Sequence, residues 1–84
     1  MELAWNISTS DIPFMDMNPD GSLSAVVDWE RVYLYLVRPD SKSAAFDVRG
    51  EDPVKPVIAG VIVKGGRAYV IASYADFAGV RVYS

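Results

Sequence analysis

The chain has 84 residues, of which 51% are hydrophobic and 23% are charged, and its net charge is -3. A chain this short forms one small domain with much of its surface in water, and its composition is that of a globular protein rather than a disordered one. It contains no cysteine and no histidine, which excludes disulfides and the usual thiolate and imidazole metal sites.

The distribution of charge and hydropathy limits the partners of the protein. The eight basic residues are scattered along the chain rather than gathered in a stripe, which argues against nucleic acid. No apolar run approaches the roughly 18 residues that a membrane helix needs, and no secretory pattern precedes the first turn. We therefore expect a soluble, cytoplasmic protein that does not bind membranes.

Turn-forming residues divide the chain into segments of about five to eight residues, a length ordinary for strands and too short for most helices. The segments are rich in Val, Ile, Tyr, Phe and Trp, which suit a pleated, half-buried surface. Residues 24–27 and 57–63 are almost continuously apolar, which indicates strands covered on both faces. We predict eight strands, near residues 2–7, 14–18, 23–29, 32–37, 44–49, 57–63, 68–74 and 79–83.

The second half of the chain echoes the first at a spacing of about 40 to 50 residues, which is typical of repeat architectures. The alignment pairs Trp29 with Tyr74 and Val32 with Val80, and the spacing grows across the turn between them. We predict a single all-β domain over residues 1–84, with a first repeat at 9–49 and a second at 50–84. The second repeat ends one strand short, and residues 1–8 are predicted to supply that outer strand by exchange between chains.

A turn with the sequence Asn18-Pro19-Asp20-Gly21 follows the second predicted strand. Pro sets the φ angle that a turn needs, Asp caps the turn, and Gly takes the positive φ that reverses the chain. Residues 14–27 thereby resemble the first hairpin of a blade in WD-repeat-like β-propellers, although the Gly-His and Trp-Asp motifs of true WD repeats are absent. The resemblance covers the whole chain and implies two four-stranded antiparallel blades. The alternative fold is a small eight-stranded β-sandwich or barrel, which the strand count also permits.

Propellers close with about four to eight blades, so two blades require others. The resemblance implies either a homo-oligomer of three or four copies or a piece of a longer protein that carries the remaining blades. In the oligomer, the first and last predicted strands would pair between chains and cover each other's edges. The residues predicted at these edges are Leu3, Trp5, Ile7, Val80 and Val82.

The polar residues do not assemble into a recognisable catalytic site, because no histidine or cysteine is available and the carboxylates show no informative spacing. We therefore predict that the protein is not an enzyme. The expected function is a non-catalytic binding or assembly module of the propeller type that mediates protein–protein interaction.

A carbohydrate-binding lectin is the alternative function, since small lectins built from two blades per chain resemble this plan. Aromatic faces would bind sugar C–H groups and nearby charged groups would bind hydroxyls. The aromatic rings also have a structural interpretation, in which both pack between blades. The candidate residues are Trp29, Tyr74, Asp28, Arg31 and Asp76.

Oxygen-bearing side chains at alternate positions before a glycine resemble the start of a calcium loop, and they are Asp16, Asn18, Asp20 and Ser22. Val27 stands where the helical version of this loop has its bidentate glutamate, and Ser24 stands where propeller calcium loops carry an acid. The other interpretation is a turn capped by Asp20, with Asp16 and Asn18 facing solvent. No other cofactor is predicted.

Overall fold

The structure is a computed structural model that describes residues 7, 9, 11–39 and 43–84. These residues form seven β-strands and no helix, which confirms the all-β prediction. A helix long and apolar enough to cross a membrane is likewise absent from this part of the chain. The strands are β1 (Phe14–Met17), β2 (Ser24–Asp28), β3 (Tyr33–Val37), β4 (Ala44–Asp47), β5 (Val57–Lys64), β6 (Arg67–Ser73) and β7 (Ala78–Tyr83).

The strands form two antiparallel meanders. The first sheet has the order β1-β2-β3-β4 and the second has the order β5-β6-β7, and no strand pairing joins the two sheets among the described residues. Seven of the eight predicted strands are therefore observed, close to their predicted ends. The remaining predicted strand, at residues 2–7, was expected to be the outer strand of the second sheet. Apart from Ile7, it lies outside the described residues.

The first hairpin turn is stabilised by its own side chains. The Ser22 amide donates to Asp20 Oδ1 at 2.9 Å, and Asn18 Nδ2 donates to the Ser22 hydroxyl at 2.9 Å. Gly21 has a φ of 75°, which a glycine adopts without steric cost. The turn therefore forms for the reasons that its Pro-Asp-Gly sequence predicts.

The corresponding turn in the second sheet is shorter. Gly65 and Gly66, with φ angles of 60° and 75°, connect Lys64 directly to Arg67, as expected of a two-residue hairpin turn with positive φ at both positions. The register between β5 and β6 shifts between Ile58 and Gly60, where a bulge leaves Ala59 unpaired.

A single apolar core lies between the sheets. Both sheets contribute to it, and β5 packs against β1 and β2. Phe46 from β4 and Tyr83 from β7 pack at its margin, with ring centroids 5.4 Å apart. The core residues from the first sheet and its loops are Leu23, Ala25, Val27, Val32, Leu34, Leu36 and Val48, and those from the second are Ile58, Val63, Ala68, Val70, Ala72 and Tyr74.

The hydrogen-bond register reveals how the faces of the two sheets are related. In the first sheet, the Asn18 amide donates to the Leu23 carbonyl at 2.8 Å, which makes them a hydrogen-bonded pair. Such pairs alternate with non-hydrogen-bonded pairs along an antiparallel ladder, so Asp16 and Ala25 form the next one. The backbone groups of Ala25 thus point towards β1, while its side chain lies in the core between the sheets.

In the second sheet, the backbone groups of the core-facing residues on the central strand point to the other neighbouring strand. The Tyr74 amide donates to the Phe77 carbonyl at 2.7 Å, so Val70 and Arg81 form a hydrogen-bonded pair further along that ladder. The backbone groups of Val70 point towards β7, although its side chain also lies in the core. For L-residues, the side to which the backbone groups point fixes the face that the side chain takes. The two inward faces are therefore not corresponding faces.

The two sheets consequently stack head to tail. We call the face of the first sheet that meets the second its front face and the opposite face its back face, and corresponding faces of the second sheet take the same names. The back face of the second sheet packs against the front face of the first, and its own front face points away. The front-face residues are Asp16, Ala25, Val27, Leu34 and Leu36 in the first sheet and, in corresponding positions, Ile62, Tyr69, Ile71, Val80 and Val82 in the second.

This correspondence corrects the predicted alignment of the halves. Ala25 corresponds to Tyr69 and Leu34 to Val80, so the spacing is 44 residues before the β2–β3 loop and 46 residues after it. The spacing grows across this loop as predicted, but the pairing of Trp29 with Tyr74 is wrong by one residue and that of Val32 with Val80 by two. In a strand, one residue is enough to turn a side chain to the other face.

Candidate functional site

The front face of the second sheet is an open apolar surface. Ile62, Tyr69 and Val82 are cross-strand neighbours in one row, and Ile71 and Val80 are neighbours in the next. Ile62 is 49% exposed, Val80 49% and Val82 52%. Contiguous apolar side chains at such exposure are typical of interaction surfaces.

The back face of the first sheet is exposed along its edge strand β1 and covered at its centre. Met15 is 67% exposed and Met17 59% on β1, whereas Val26 and Val37 on the neighbouring strands are buried. On the side of β4, Ile7 lines a recess together with Tyr35, Val37, Ser43, Ala44 and Ala45. Methionines are flexible and fill irregular gaps, which suits a surface that receives another element.

The contact between the two sheets shows what a front-to-back interface in this protein looks like. At one end, the Val63 amide at the free edge of β5 donates to Asp16 Oδ2 on the front of the first sheet at 2.6 Å. This hydrogen bond, and a second one from the Met17 backbone, lower the pKa of the Asp16 carboxyl below its ordinary value of 3.8. Asp16 is therefore partly buried and bonded to the second sheet, which corrects the interpretation of it as a solvent-facing turn residue.

At the outer end of this interface, Arg81 connects the two sheets. Its guanidinium lies 4.0 Å from the centroid of the Tyr74 ring and 5.5 Å from that of Phe77, and its Nη1 donates to the Val48 carbonyl at 3.3 Å. Planar stacking on aromatic rings combined with a hydrogen bond is characteristic of arginine. Burial raises the pKa of the Tyr74 hydroxyl, as expected for a ring that belongs to the core.

The residues predicted to bind carbohydrate do not share one environment. Tyr74 is 6% exposed and its ring is stacked on Phe77 with centroids 4.7 Å apart, so neither ring face is open to a sugar. Trp29 is 37% exposed and its indole N–H donates to the Ile12 carbonyl at 2.9 Å. Trp29 lines a recess of about 250 Å³ together with Lys55, Pro56, Val57 and Ile58. Only Trp29 of the two predicted rings presents an accessible surface.

Of the residues predicted as neighbours of that ligand, Asp28 ends β2 and Arg31 lies in the β2–β3 loop. Asp28 is 1% exposed, and its Oδ1 accepts hydrogen bonds from the amides of Glu30 and Arg31, each at 3.1 Å. Its Oδ2 lies 3.9 Å from Arg31 Nε. These bonds fix a loop in which Val32 adopts a φ of 61°, an uncommon conformation for a β-branched residue. Asp76, the fifth predicted residue, is exposed in the β6–β7 loop.

The residues predicted to bind calcium bond to each other and to the backbone. The Ser22 hydroxyl and amide lower the pKa of Asp20 below its ordinary value of 3.8. Asn18 contacts Ser22, and Asp16 points away from the turn to reach Val63. Among the residues that the structure describes, no group of three or more acidic side chains could hold a metal ion.

The predicted edge residues fall into two groups. Leu3 and Trp5 lie outside the described residues, and Ile7 lines the recess on the back of the first sheet. Val80 and Val82 lie on β7, which pairs only with β6 within the described part of the chain and is an edge strand there. Their side chains also belong to the open front face.

The prediction overlooked the rest of the two open faces, including Met15, Met17, Ile62, Tyr69 and Ile71. One signal was present in the sequence: the near-continuous apolar runs at 24–27 and 57–63 predict strands covered on both faces. Within the chain, each sheet is covered by the other on one face. On the front face of the second sheet, the described residues do not provide the second cover.

No protein family model matches the chain, and no solved structure matches it. An uncharacterized protein of Archaeoglobus fulgidus is 54% identical to it over all 84 residues. Those residues are 24% of that protein, so the chain spans about a quarter of a relative of about 350 residues.

Proposed function

We propose that the protein is a non-catalytic assembly module of the propeller type, whose two sheets act as consecutive blades and whose open faces bind further sheets. The head-to-tail stacking of the sheets carries this proposal. In a sandwich whose two sheets are related by a local two-fold axis, corresponding faces pack together. The two outer faces are then also corresponding faces. Head-to-tail stacking leaves one front face and one back face outside the contact between the two sheets, as in blades around a ring.

Two further observations support the proposal. The front face of the second sheet is apolar at Ile71, Val80 and Val82, whose counterparts on the first sheet are buried between the two sheets. In addition, the relative of about 350 residues has room for about eight sheets of this size, which is within the range of four to eight blades in known propellers. The role of the module is then protein–protein interaction, because the exposed apolar surfaces of its sheets are those proposed to bind other sheets.

A tandem dimer, made by fusing two copies of the chain through a flexible Gly/Ser linker, tests the proposal. The fusion places the open front face of the first copy beside the open back face of the second. If the faces stack, the tandem dimer melts in one cooperative transition, at least about 5 °C above a dilute single copy. A tandem dimer whose copies melt independently, at the temperature of the single chain, would refute the proposal.

A carbohydrate-binding role is the second candidate, and it is favoured by the half-exposed Trp29 ring beside its recess. Stacking of a sugar on this ring would leave the core unchanged. A glycan array tests the idea, with Trp29→Ala as the control for binding through the ring. Absence of binding to every glycan would remove this candidate.

A further inference from the structure

β4 is an edge strand, and an apolar recess lies beside it. Within the described part of the chain β4 pairs only with β3, and an unpaired edge is a template for a further strand. We infer that residues 3–6 of the same chain pair antiparallel with β4 and complete the first sheet as its fifth strand. The inference does not rest on the proposed function, since it concerns an edge of one sheet rather than the stacking of two.

The recess beside β4 has a size that suits side chains rather than a free ligand. Its volume is about 260 Å³, which is below the range of about 300–1,000 Å³ that is typical of ligand pockets. At the start of β4 its lining consists of small side chains, which leave room for larger ones on a neighbouring strand. The lining residues are Ile7, Tyr35, Val37, Ser43, Ala44 and Ala45.

The back face of the first sheet is covered at its centre by the chain itself. Val26 and Val37 on this face are only 8% and 7% exposed, and Ile7 lines the recess together with Val37. The other lining residues belong to β3, to β4 or to the position just before β4. The residues that precede Ile7 therefore begin at the β4 side of the first sheet.

The segment before Ile7 is long enough to follow β4. β4 has four residues, and a strand of that length spans about 13 Å at about 3.3 Å per residue. Six residues precede Ile7, and six extended residues reach about 20 Å. The whole edge of β4 is therefore within reach of this segment.

The backbone of β4 presents hydrogen-bonding groups at its outer edge. The Val48 amide donates to the Val32 carbonyl at 2.9 Å, which makes them a hydrogen-bonded pair that continues the β3–β4 ladder. Such pairs alternate along an antiparallel ladder, so the backbone groups of Phe46 point towards β3. The backbone groups of Ala45 and Asp47 then point the other way, to the outer edge. A strand paired there would bond to these two residues.

The recess also sets the register of the added strand. The β3–β4 pairing, continued by one residue beyond Leu36 and Ala44, places Ser43 opposite Val37. Ile7 lines the recess with both Ser43 and Val37. Ile7 is therefore assigned to the position beside Ser43, in the same row of side chains as Val37.

In this register the apolar side chains of the segment meet the recess. An antiparallel strand sets Trp5 beside Ala45 and Leu3 beside Asp47, and both side chains share the face of Ile7 because alternate residues of a strand do so. Trp5 then covers Ala45, which is exposed in the described part of the chain, and lies in the row of Tyr35. The spacing of the apolar residues at 3, 5 and 7 is the one that such a strand requires.

The sequence alone predicts a different partner for these residues, which is β7 of another copy. In that arrangement they form the outer strand of the second sheet and join two chains. In the arrangement inferred from the recess they stay with their own first sheet and are not available to another copy. The two arrangements differ in whether the contact lies within one chain, which a cross-link measures.

A disulfide tests both the pairing and its register, because the native chain contains no cysteine. The register sets Asn6 beside Ala44 as a non-hydrogen-bonded pair, whose Cα atoms are about 4.5 Å apart in an antiparallel ladder and within the range of disulfides. The full chain carrying Asn6→Cys and Ala44→Cys is oxidised in the folded state at low concentration. We expect most molecules to form a disulfide within one chain, detected by mass spectrometry without reduction.

The matched control combines Asn6→Cys with Ala45→Cys. Neighbouring residues of a strand point to opposite faces, so these two cysteines face away from each other and should form several-fold less disulfide. Equal yields from the two variants would show that the segment has no fixed register beside β4 and would overturn the inference. A disulfide that joins two chains would overturn it in favour of exchange, and the absence of any disulfide would also contradict it.

Tryptophan fluorescence tests the position of Trp5 without a cross-link. Trp29→Phe leaves Trp5 as the only tryptophan of the chain. We expect its emission to lie at shorter wavelength in the folded chain than in urea, and its quenching by iodide to be several-fold weaker, because the ring packs on Ala45. In this background Ala45→Glu should raise the quenching towards the unfolded value, whereas Ala75→Glu, at an exposed loop position, should not. Equal effects of the two glutamates, or quenching as strong in the folded chain as in urea, would contradict the inference.

Discussion

The front faces of the two sheets have the same place in their strands but different surroundings. Leu34 and Leu36 on the first sheet are fully buried beneath the second sheet, whereas their counterparts Val80 and Val82 are about half exposed. The residue types are apolar in both cases. The faces are therefore alike and only their cover differs, which teaches that the front face of the second sheet suits a neighbour that the described residues do not supply.

The largest effect is expected where the front face is covered. Leu34→Ala removes a side chain that is 0% exposed and should lower the free energy of unfolding by about 3 kcal/mol, because it leaves a cavity between the sheets. Val82→Ala on the open front face should cost about 0.5 kcal/mol or less in dilute solution. Urea denaturation measures both values. Similar losses at the two positions would mean that the second front face is already covered, which would contradict the comparison.

The two loops that join the second and third strands of each sheet provide a sharper comparison. Asp28→Ala removes a buried carboxylate that accepts two backbone amides, and it should cost about 1–2 kcal/mol. Asp76→Ala in the exposed β6–β7 loop should change stability by about 0.5 kcal/mol at most. The same denaturation measurement compares them, and an Asp76 effect as large as that of Asp28 would show a second anchored loop.

A pH series tests the charged hydrogen bond within the covered interface. Because the folded-state pKa of Asp16 is lowered, its stabilisation is present above the ordinary value of 3.8 and is lost as the pH falls through the folded value. Asp16→Asn should therefore lower the melting temperature near neutral pH, and the difference from the native chain should shrink in acid. Thermal melts across the acid range provide the test. A difference that does not depend on pH would show that the charge of Asp16 is not involved.

The smallest effect is expected for metal removal. The side chains of Asp16, Asn18, Asp20 and Ser22 already bond to protein groups, so a chelator should shift the melting temperature by about 1 °C or less. A calorimetric scan with and without calcium tests this expectation. A clear increase in the melting temperature on addition of calcium would restore the calcium loop.

Local rules made most of the fold predictable from the sequence. The Pro-Asp-Gly and Gly-Gly turns mark hairpins, and alternating apolar segments between turns mark strands, so seven strands were located within a few residues. The growth of the repeat spacing across one loop was also visible. The face that each side chain of the second sheet takes was not visible in the sequence. A shift of one residue leaves the apolar pattern almost unchanged while it turns every side chain to the other face.

The candidate site was less predictable, for a related reason. Trp29 and Tyr74 look equivalent in the sequence, but Trp29 is 37% exposed and Tyr74 belongs to the core. The hydrogen-bond register shows that their positions do not correspond. Ile62 and Met17 carry no chemical motif, and their importance depends on which face of a stacked sheet each occupies. Apolar residues in a strand indicate burial, but the sequence does not specify which surface buries them.

The relative orientation of the two sheets is the central claim, and nuclear Overhauser effects in the monomeric chain test it most directly. The head-to-tail arrangement predicts contacts from Leu34 and Phe46 on the first sheet to Val70 and Tyr83 on the second. If corresponding faces met instead, Leu34 would contact Ile71 and Val82. Observation of the Phe46–Tyr83 contact, without contacts from Leu34 to Val82, is the result expected, and the reverse pattern would contradict the head-to-tail arrangement.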